Sequence, residues 1–251
     1  YRKIYSYNVG ESNTDINLNR AHDNLSNISK VIYDLAINFF KKDQLINVVD
    51  LGGGTGGVLS EFKKHNHNCT IVEQTPSLIE FASKKGYNAM KGNIQNINFK
   101  NLSYDLIILN HVLEHIPDIK NVLTKIKTIM HANSLLWIAL PGLDSLKDGR
   151  RRYDFLEDIH DAHLYYFTSK NLNYLLSIND FKCVYIDNVI KSLFRRSDEK
   201  PITNNKLYEY TVTVLKKSEF KRKYIYPILS PLKNIFRPLY FSLKRLVSFR
   251  N

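Results

Sequence analysis

The sequence predicts an α/β fold, a doubly wound and mostly parallel sheet of seven strands with helices on both faces. Three observations carry this. The stretch Val48 to Gly57, VVDLGGGTGG, runs from a β-branched segment through an acid into five glycines among six residues, and the chain resumes as the helix-like VLSEFKKH. Apolar runs and helix-patterned stretches then alternate down the chain, as a parallel sheet with crossover helices requires. One run, YDLIILN at 104–110, is almost unbroken in its apolar character, which suits a central strand covered on both faces. With 251 residues, 43% of them apolar, the chain can bury the core of one such domain with decoration.

In order, the first twenty residues are polar and tyrosine-rich. Asn24 is a candidate cap for a helix whose apolar positions Ile28, Val31, Ile32, Leu35 and Phe39 follow helical spacing. Strand one is INVVDL and strand two CTIVEQ. A helix opens at Pro76 and closes on Gly86, a C-cap residue, before a short strand near Tyr87 to Met90. After YDLIILN the text reads HVLEHIPD, and Pro117 and Asp118 begin the helix DIKNVLTKIKTIM. Strand five, SLLWIAL, ends at Pro141. Residues 142–168 form a polar, aromatic and basic segment longer than an ordinary connection, placed where substrate contacts gather. A helix, SKNLNYLLSI, a strand, FKCVYIDNVI, and a last strand, LYEYTVTVLKK, complete the expected sheet. The domain spans 23–216, with a lead-in at 1–22 and a tail at 217–251.

The glycine loop brings backbone within contact distance of a small ligand, and its N–H groups suit an electron-rich one. Gly52, Gly54 and Gly57 spell a dinucleotide fingerprint. Gly52, Gly54 and Gly56 with Asp50 before them spell DxGxGxG, the first motif of S-adenosylmethionine (SAM) sites. Asp50 decides for SAM, because a carboxylate repels a pyrophosphate and attracts an ammonium group. Glu73, 21 residues after Gly52, has the spacing of a ribose-binding acid.

Charge is unevenly placed. Ten Lys and Arg and one acid, Glu219, fall between Lys216 and Asn251, a net +9 of the chain's +12. Cys69 and Cys183 lie far apart in apolar runs and read as buried thiols in a reducing compartment, so a cytoplasmic location is expected. No 18-residue apolar run occurs. The start, YRKIYSYN, has neither a signal-peptide core nor an initiator Met, and a trimmed start is expected.

Asp50 to Gly56, Glu73, the Asn93 region, YDLIILNHVLEHIPD and HLYYFTSKNLNYLL together resemble a class I SAM-dependent methyltransferase with a Rossmann-like fold, over about residues 20–216. The resemblance is greatest to a bacterial group with L-E-H after strand four and H-x-x-Y-F before the last helix, many of whose members methylate sugars of surface polysaccharides. It implies that Gly52, Gly53, Gly54, Thr55 and Gly56 line the methionine moiety, and that Asp50 holds its ammonium. Glu73, with Gln74 beside it, accepts the ribose hydroxyls, and Asn93 and Ile94 meet the adenine. Asn110 and His111 face the methyl group. Relatives mostly carry Asp where Asn93 stands.

A sugar hydroxyl must lose its proton as it attacks, and histidine is the economical base at neutral pH. The candidates are His163, His160 and His111, with Asp161 able to orient an imidazole. His163 also reads as a loop-holding residue, and Glu114 and His115 as residues that hold the following helix start. Arg150, Arg151, Arg152 and Tyr165 are candidates for contacts to an acidic acceptor, although the arginines read equally as solvated charge. His160, Asp161 and His163 crowd into four residues without a metal-ligand spacing, so no metal is expected.

The expected activity is O-methylation of a sugar hydroxyl of lipopolysaccharide O-antigen, capsule or a lipid-linked precursor, with SAM as cofactor and S-adenosylhomocysteine as product. The alternatives are a quinone-like or other small acceptor, which needs a mostly apolar pocket, and an RNA methyltransferase or nucleic-acid binder, suggested by the charge. Against the last, no RNA-binding module or base-methylation motif is present, and no nucleic-acid partner is expected. In the tail, Leu232, Ile235, Phe236, Leu239, Leu243, Leu246 and Val247 share one helical side, while Lys233, Arg237 and Lys244 share another, and prolines divide it. This pattern suits an anionic membrane surface, packing on the domain, or a homodimer contact.

Overall fold

A computed structural model describes residues 15–95, 102–159, 161–203, 206–228 and 230. Seven strands form one sheet in the order 3-2-1-4-5-7-6. They are β1 (Asn47–Leu51), β2 (Asn68–Glu73), β3 (Asn88–Lys91), β4 (Tyr104–Asn110), β5 (Met130–Ala139), β6 (Phe181–Ile186) and β7 (Lys191–Arg196). The first five run parallel, and β7 is antiparallel to both β5 and β6. Strand order reverses between β1 and β4, and ligands of open α/β sheets bind at that crevice.

The helices are α1 (Asp15–Asn24), α2 (Ser26–Ala36), α3 (Ser60–Lys64), α4 (Pro76–Lys84), α5 (Ile119–Thr128), α6 (Ser169–Ser177) and α7 (Leu207–Phe220). One face of the sheet buries Ile32, Phe62, Ile71, Ile108 and Trp137, and the other buries Val49, Ile107, Leu123, Ile126, Leu172 and Phe194. Tyr104 to Leu109 are all buried, which explains why the central strand is apolar on both faces. Asp118 caps α5 by accepting from Asn121 N at 3.0 Å, and Thr168 caps α6 in the same way at 3.2 Å, so both helices begin where the sequence predicts.

Three expectations are corrected. Helical structure begins at Asp15, and Asn24 ends α1 instead of capping the next helix; Leu25 precedes α2 with no side-chain cap. The predicted strand FKCVYIDNVI stops at Ile186, because Asp187 Oδ1 accepts from Val189 N at 3.1 Å and Lys191 N at 2.8 Å and turns the chain into β7. LYEYTVTVLKK is helix α7, not the last strand. Its alternating aromatic and β-branched residues favour a strand, but Tyr210, Thr211, Val214 and Ser218 fall on one helical face and each finds a partner there. Val214 packs on Leu143 and Leu146, Thr211 meets Asn171, and Ser218 donates to the Tyr153 carbonyl. The basic pattern at 232–247 lies outside the described residues.

Candidate functional site

Asp50, next to last in β1, is 1% exposed, and neither carboxylate oxygen has a hydrogen-bond partner among the described residues. Burial pushes its carboxyl up to about 8, and the charge of Glu73 adds to the effect. The loop after it is anchored to β2, since Gly52 N donates to the Val72 carbonyl at 2.8 Å. Gly54 has φ +54, and a Cβ built there meets nothing within 4 Å, so this glycine faces open space as the backbone of a ligand cradle does. Gly57 answers to packing instead: its Cβ would stand 2.2 Å from the His22 carbonyl oxygen of α1. Thr55 Oγ1 is buried and unpartnered as well.

On β2, Glu73 Oε1 accepts from Gln74 N at 2.7 Å and Thr75 N at 2.9 Å, and Oε2 accepts from Gly54 N at 3.2 Å. The acid predicted to bind ribose is thereby joined to the glycine loop. Asn93 Oδ1 accepts from Gln95 N at 2.9 Å, and its Nδ2 reaches Gln74 Oε1 at 3.4 Å; the amide shapes the turn after β3. Ile94 is 8% exposed and belongs to the core.

Asp50 pairs in register with Ile108, so Asn110 lies two residues further along the neighbouring strand. Its Oδ1 is buried without a partner among the described residues. Asp50, Thr55 and Asn110, on β1, its loop and β4, the elements that border the crevice, each carry an unsatisfied buried oxygen. Each such group costs about 1–3 kcal/mol until it is answered. The set fits SAM: an acid for the ammonium, polar oxygens beside it, and open backbone at Gly54.

His111 adopts φ +55 just past β4, and its Nδ1 lies 3.3 Å from Glu114 Oε1. Glu114 is 1% exposed. A single 3-10 turn, Leu113–His115, presents it. Instead of holding the start of α5, this turn holds the 142–168 segment: His115 Nδ1 donates to the Ala162 carbonyl at 2.8 Å, and Leu164 N to the Glu114 carbonyl at 2.9 Å. Tyr165 adds a bond from its hydroxyl to the Pro117 carbonyl at 3.0 Å. The His163 ring stands edge-on to His115, with centroids 4.8 Å apart. His163 and His111 are thus brought to the same carboxylate, Asp161 is exposed, and His160 lies outside the described residues.

Of the three arginines Arg150 turns inward, while Arg151 and Arg152 stay exposed. Arg150 pairs with Asp158 at 2.5 Å, donates to the Gly142 carbonyl at 3.0 Å and reaches Ser145 Oγ. Arg151 also meets Asp158, at 3.3 Å, and Arg152 meets Glu157. Arg151, Arg152 and Tyr153 all have positive φ, a tight reversal held by these pairs.

Sequence reasoning missed Asp144. It is fully buried and accepts from Tyr210 hydroxyl at 2.5 Å, Ser169 N at 2.7 Å, Ser169 Oγ at 2.9 Å and Lys147 Nζ at 3.1 Å. Burial alone raises its carboxyl, but the Tyr210, Ser169 and Lys147 contacts hold it below its ordinary value. The residue sits in an unpatterned polar stretch, and only α7, read as a strand, could have revealed it.

A family profile described as a methyltransferase domain matches residues 22–186. Among curated proteins nothing matches. Among solved structures, a SAM-dependent methyltransferase from Methanosarcina mazei is similar, with 18% identity, coverage of 66% of this chain and 99% of that one, and TM-score 0.54. The 1,6-didemethyltoxoflavin-N1-methyltransferase of Burkholderia thailandensis, which holds S-adenosylhomocysteine, has 16% identity, coverage of 69% and 78%, and TM-score 0.51. A SAM-dependent methyltransferase from Thermotoga maritima, described as a possible histamine N-methyltransferase, has 16% identity, coverage of 73% and 96%, and TM-score 0.54.

Proposed function

Given that the chain belongs to the class I SAM-dependent methyltransferases, with SAM as cofactor and S-adenosylhomocysteine as product, we propose that it methylates a hydroxyl of a carbohydrate. The acceptor is a sugar of a bacterial surface polysaccharide, such as O-antigen or capsule, or of its lipid-linked precursor. The observation that supports this reading is the character of the groups beyond Asn110. His111, backed by the buried Glu114, and His163 offer hydrogen bonds to a polyhydroxylated acceptor, with Tyr165 fixed beside them, where a quinone-like one would need apolar walls.

SAM supplies a methyl group on a positively charged sulfur. Asp50 binds its ammonium end and Glu73 its ribose diol, while Asn93 and Ile94 flank the adenine. Asn110 and His111 border the methyl. His163 or His111 takes the acceptor's proton, with His160 in the same segment as a third candidate. Holding the acceptor oxygen in line with the methyl is the larger part of the task. Arg150 and Arg152 support the acceptor-side wall through Asp158 and Glu157. The basic tail keeps the enzyme at the inner face of the cytoplasmic membrane, where lipid-linked glycans are assembled.

The test offers the protein carbon-13-methyl SAM together with nucleotide-linked, lipid-linked and polymeric saccharides. Label in an O-methyl resonance of a sugar supports the reading. Label found only on a nitrogen or carbon acceptor, with saccharides untouched, overturns it.

A further inference from the structure

We propose that Glu114, His115 and His163 form a site for a divalent cation of the zinc class at the mouth of the cofactor crevice, with an oxygen of the acceptor as a further ligand. One ligand atom from each residue lies within 4.8 Å of the others. These residues come from the two motifs that sequence alone kept apart, L-E-H after β4 and H-x-x-Y-F before α6. The set differs from the trio His160, Asp161 and His163.

Three observations converge. Two imidazoles and one carboxylate are the donors that hold zinc-like ions where a position is left for substrate, and imidazole disfavours magnesium or calcium. The Ala162 carbonyl can only accept, so His115 carries its proton on Nδ1 and presents the Nε2 lone pair, the backing that metal-binding histidines have. Glu114 is 1% exposed, Oε1 meets His111 Nδ1 at 3.3 Å, and Oε2 is buried with no hydrogen-bond partner among the described residues. A carboxylate oxygen so placed calls for a cation.

The scaffold is already built. Leu164 N donates to the Glu114 carbonyl and Tyr165 to the Pro117 carbonyl, so the backbone carrying His163 is fixed to the turn carrying Glu114 and His115. Ligand atoms about 2.1 Å from a tetrahedral ion stand about 3.4 Å apart, so side-chain rotations of about 1 Å close the set. Asn110, at the methyl side of the crevice, is four residues before Glu114. A cation held there draws an acceptor hydroxyl oxygen to that side. This role rests on the reading of the enzyme as an O-methyltransferase, with His111 as the base when the ion occupies His163; the site itself does not.

The test titrates the full-length, chelator-treated protein with Co2+, followed by its visible absorption, and with Zn2+ by calorimetry. The expected result is one equivalent bound with a dissociation constant of about 10 µM or tighter, weakened at least a hundredfold in His163→Ala and in Glu114→Gln and unchanged in His65→Ala. SAM binding by each variant confirms that it is folded. Absence of saturable one-to-one binding by the wild type, or equal binding by the folded His163→Ala protein, overturns the proposal. The titration needs no acceptor, so its failure leaves the carbohydrate reading standing, and a failure to methylate any saccharide leaves the metal site standing.

Discussion

His115 Nδ1 donates to the carbonyl oxygen of Ala162 at 2.8 Å, joining residues 47 apart in the chain. Through it the turn after the central strand becomes the seat of the 142–168 segment, which shares one frame with the sheet.

Asp50 gives the site a pH dependence. Its folded value, about 8, lies above the ordinary carboxylate range near 3.8. Between those values the folded state keeps a proton that the unfolded state has released, so stability falls as pH rises through the window. The slope is at most about 1.4 kcal/mol per pH unit. In Asp50→Asn this dependence is removed. Melting curves without ligand should show the wild type losing ground to the variant from pH 5 to pH 8. Because binding the ammonium favours the ionised carboxylate, SAM affinity should rise over the same interval in the wild type only. A flat wild-type affinity would show that Asp50 is not the ammonium partner.

Glu73→Ala removes both the proposed ribose partner and the acceptor for three backbone N–H groups, so it should weaken SAM binding by about 1.5–3 kcal/mol and also lower the melting temperature. Calorimetry and thermal scanning together check this. Lost affinity at unchanged stability would mean that the loop does not depend on the carboxylate.

The Asp144 network makes the opposite pH prediction. Its folded value is depressed, so the stability it contributes is present above the ordinary carboxylate range and is lost as pH falls through the folded value. Asp144→Asn should cost about 3 kcal/mol at pH 7, because the amide removes the counter-charge of Lys147 and turns a donor towards donors at one of the two oxygen positions, Ser169 on one side or Tyr210 and Lys147 on the other. The gap from wild type should narrow on acidification below pH 4. Denaturant midpoints at pH 7 and pH 3.5 measure both numbers.

For the proton acceptor, His163→Ala or His111→Ala should lower turnover on the true acceptor by roughly a hundredfold or more, with SAM affinity near normal. Separate measurement of kcat and cofactor binding distinguishes this from a general loss of structure. Full turnover in both variants would leave positioning, or His160, as the source of the rate.

The tail prediction takes its truncation point from α7. Ser218 donates to the Tyr153 carbonyl and Lys221 Nζ to the Lys147 carbonyl, so a cut at Leu215 would damage the acceptor-side segment. A chain ending at Ile228 keeps these contacts. It should fail to sediment with anionic liposomes that recover the full chain at low salt, and high salt should release the full chain. Equal behaviour of the two forms would assign the tail to packing or to self-association.

Strands β1, β2, β4 and β5 were legible because parallel strands buried on both faces need long apolar runs, and because the glycine loop and its two acids leave few alternatives; β3, short and half-buried, was legible from Gly86 before it. The hairpin was obscured by Asp187, whose side chain turns the backbone inside what reads as one apolar run. Helix α7 was misread because its aromatic and β-branched alternation is a strand signal in isolation, and only contacts with Leu143, Leu146 and Asp144 favour the helix. Glu114 and His115 were noticed as residues, but their partner Ala162 could not be found without the fold. The inward turn of Arg150 depends on Asp158, eight residues on, in a segment with no periodicity to align them.

Helix α7 also sets a load path. Its far end grips the carbonyl of Tyr153, and Lys221 just past it that of Lys147, while its near end reaches Asp144 and Asn171. A tug on the chain beyond Phe220 is therefore felt first by the 142–168 segment and only afterwards by the sheet.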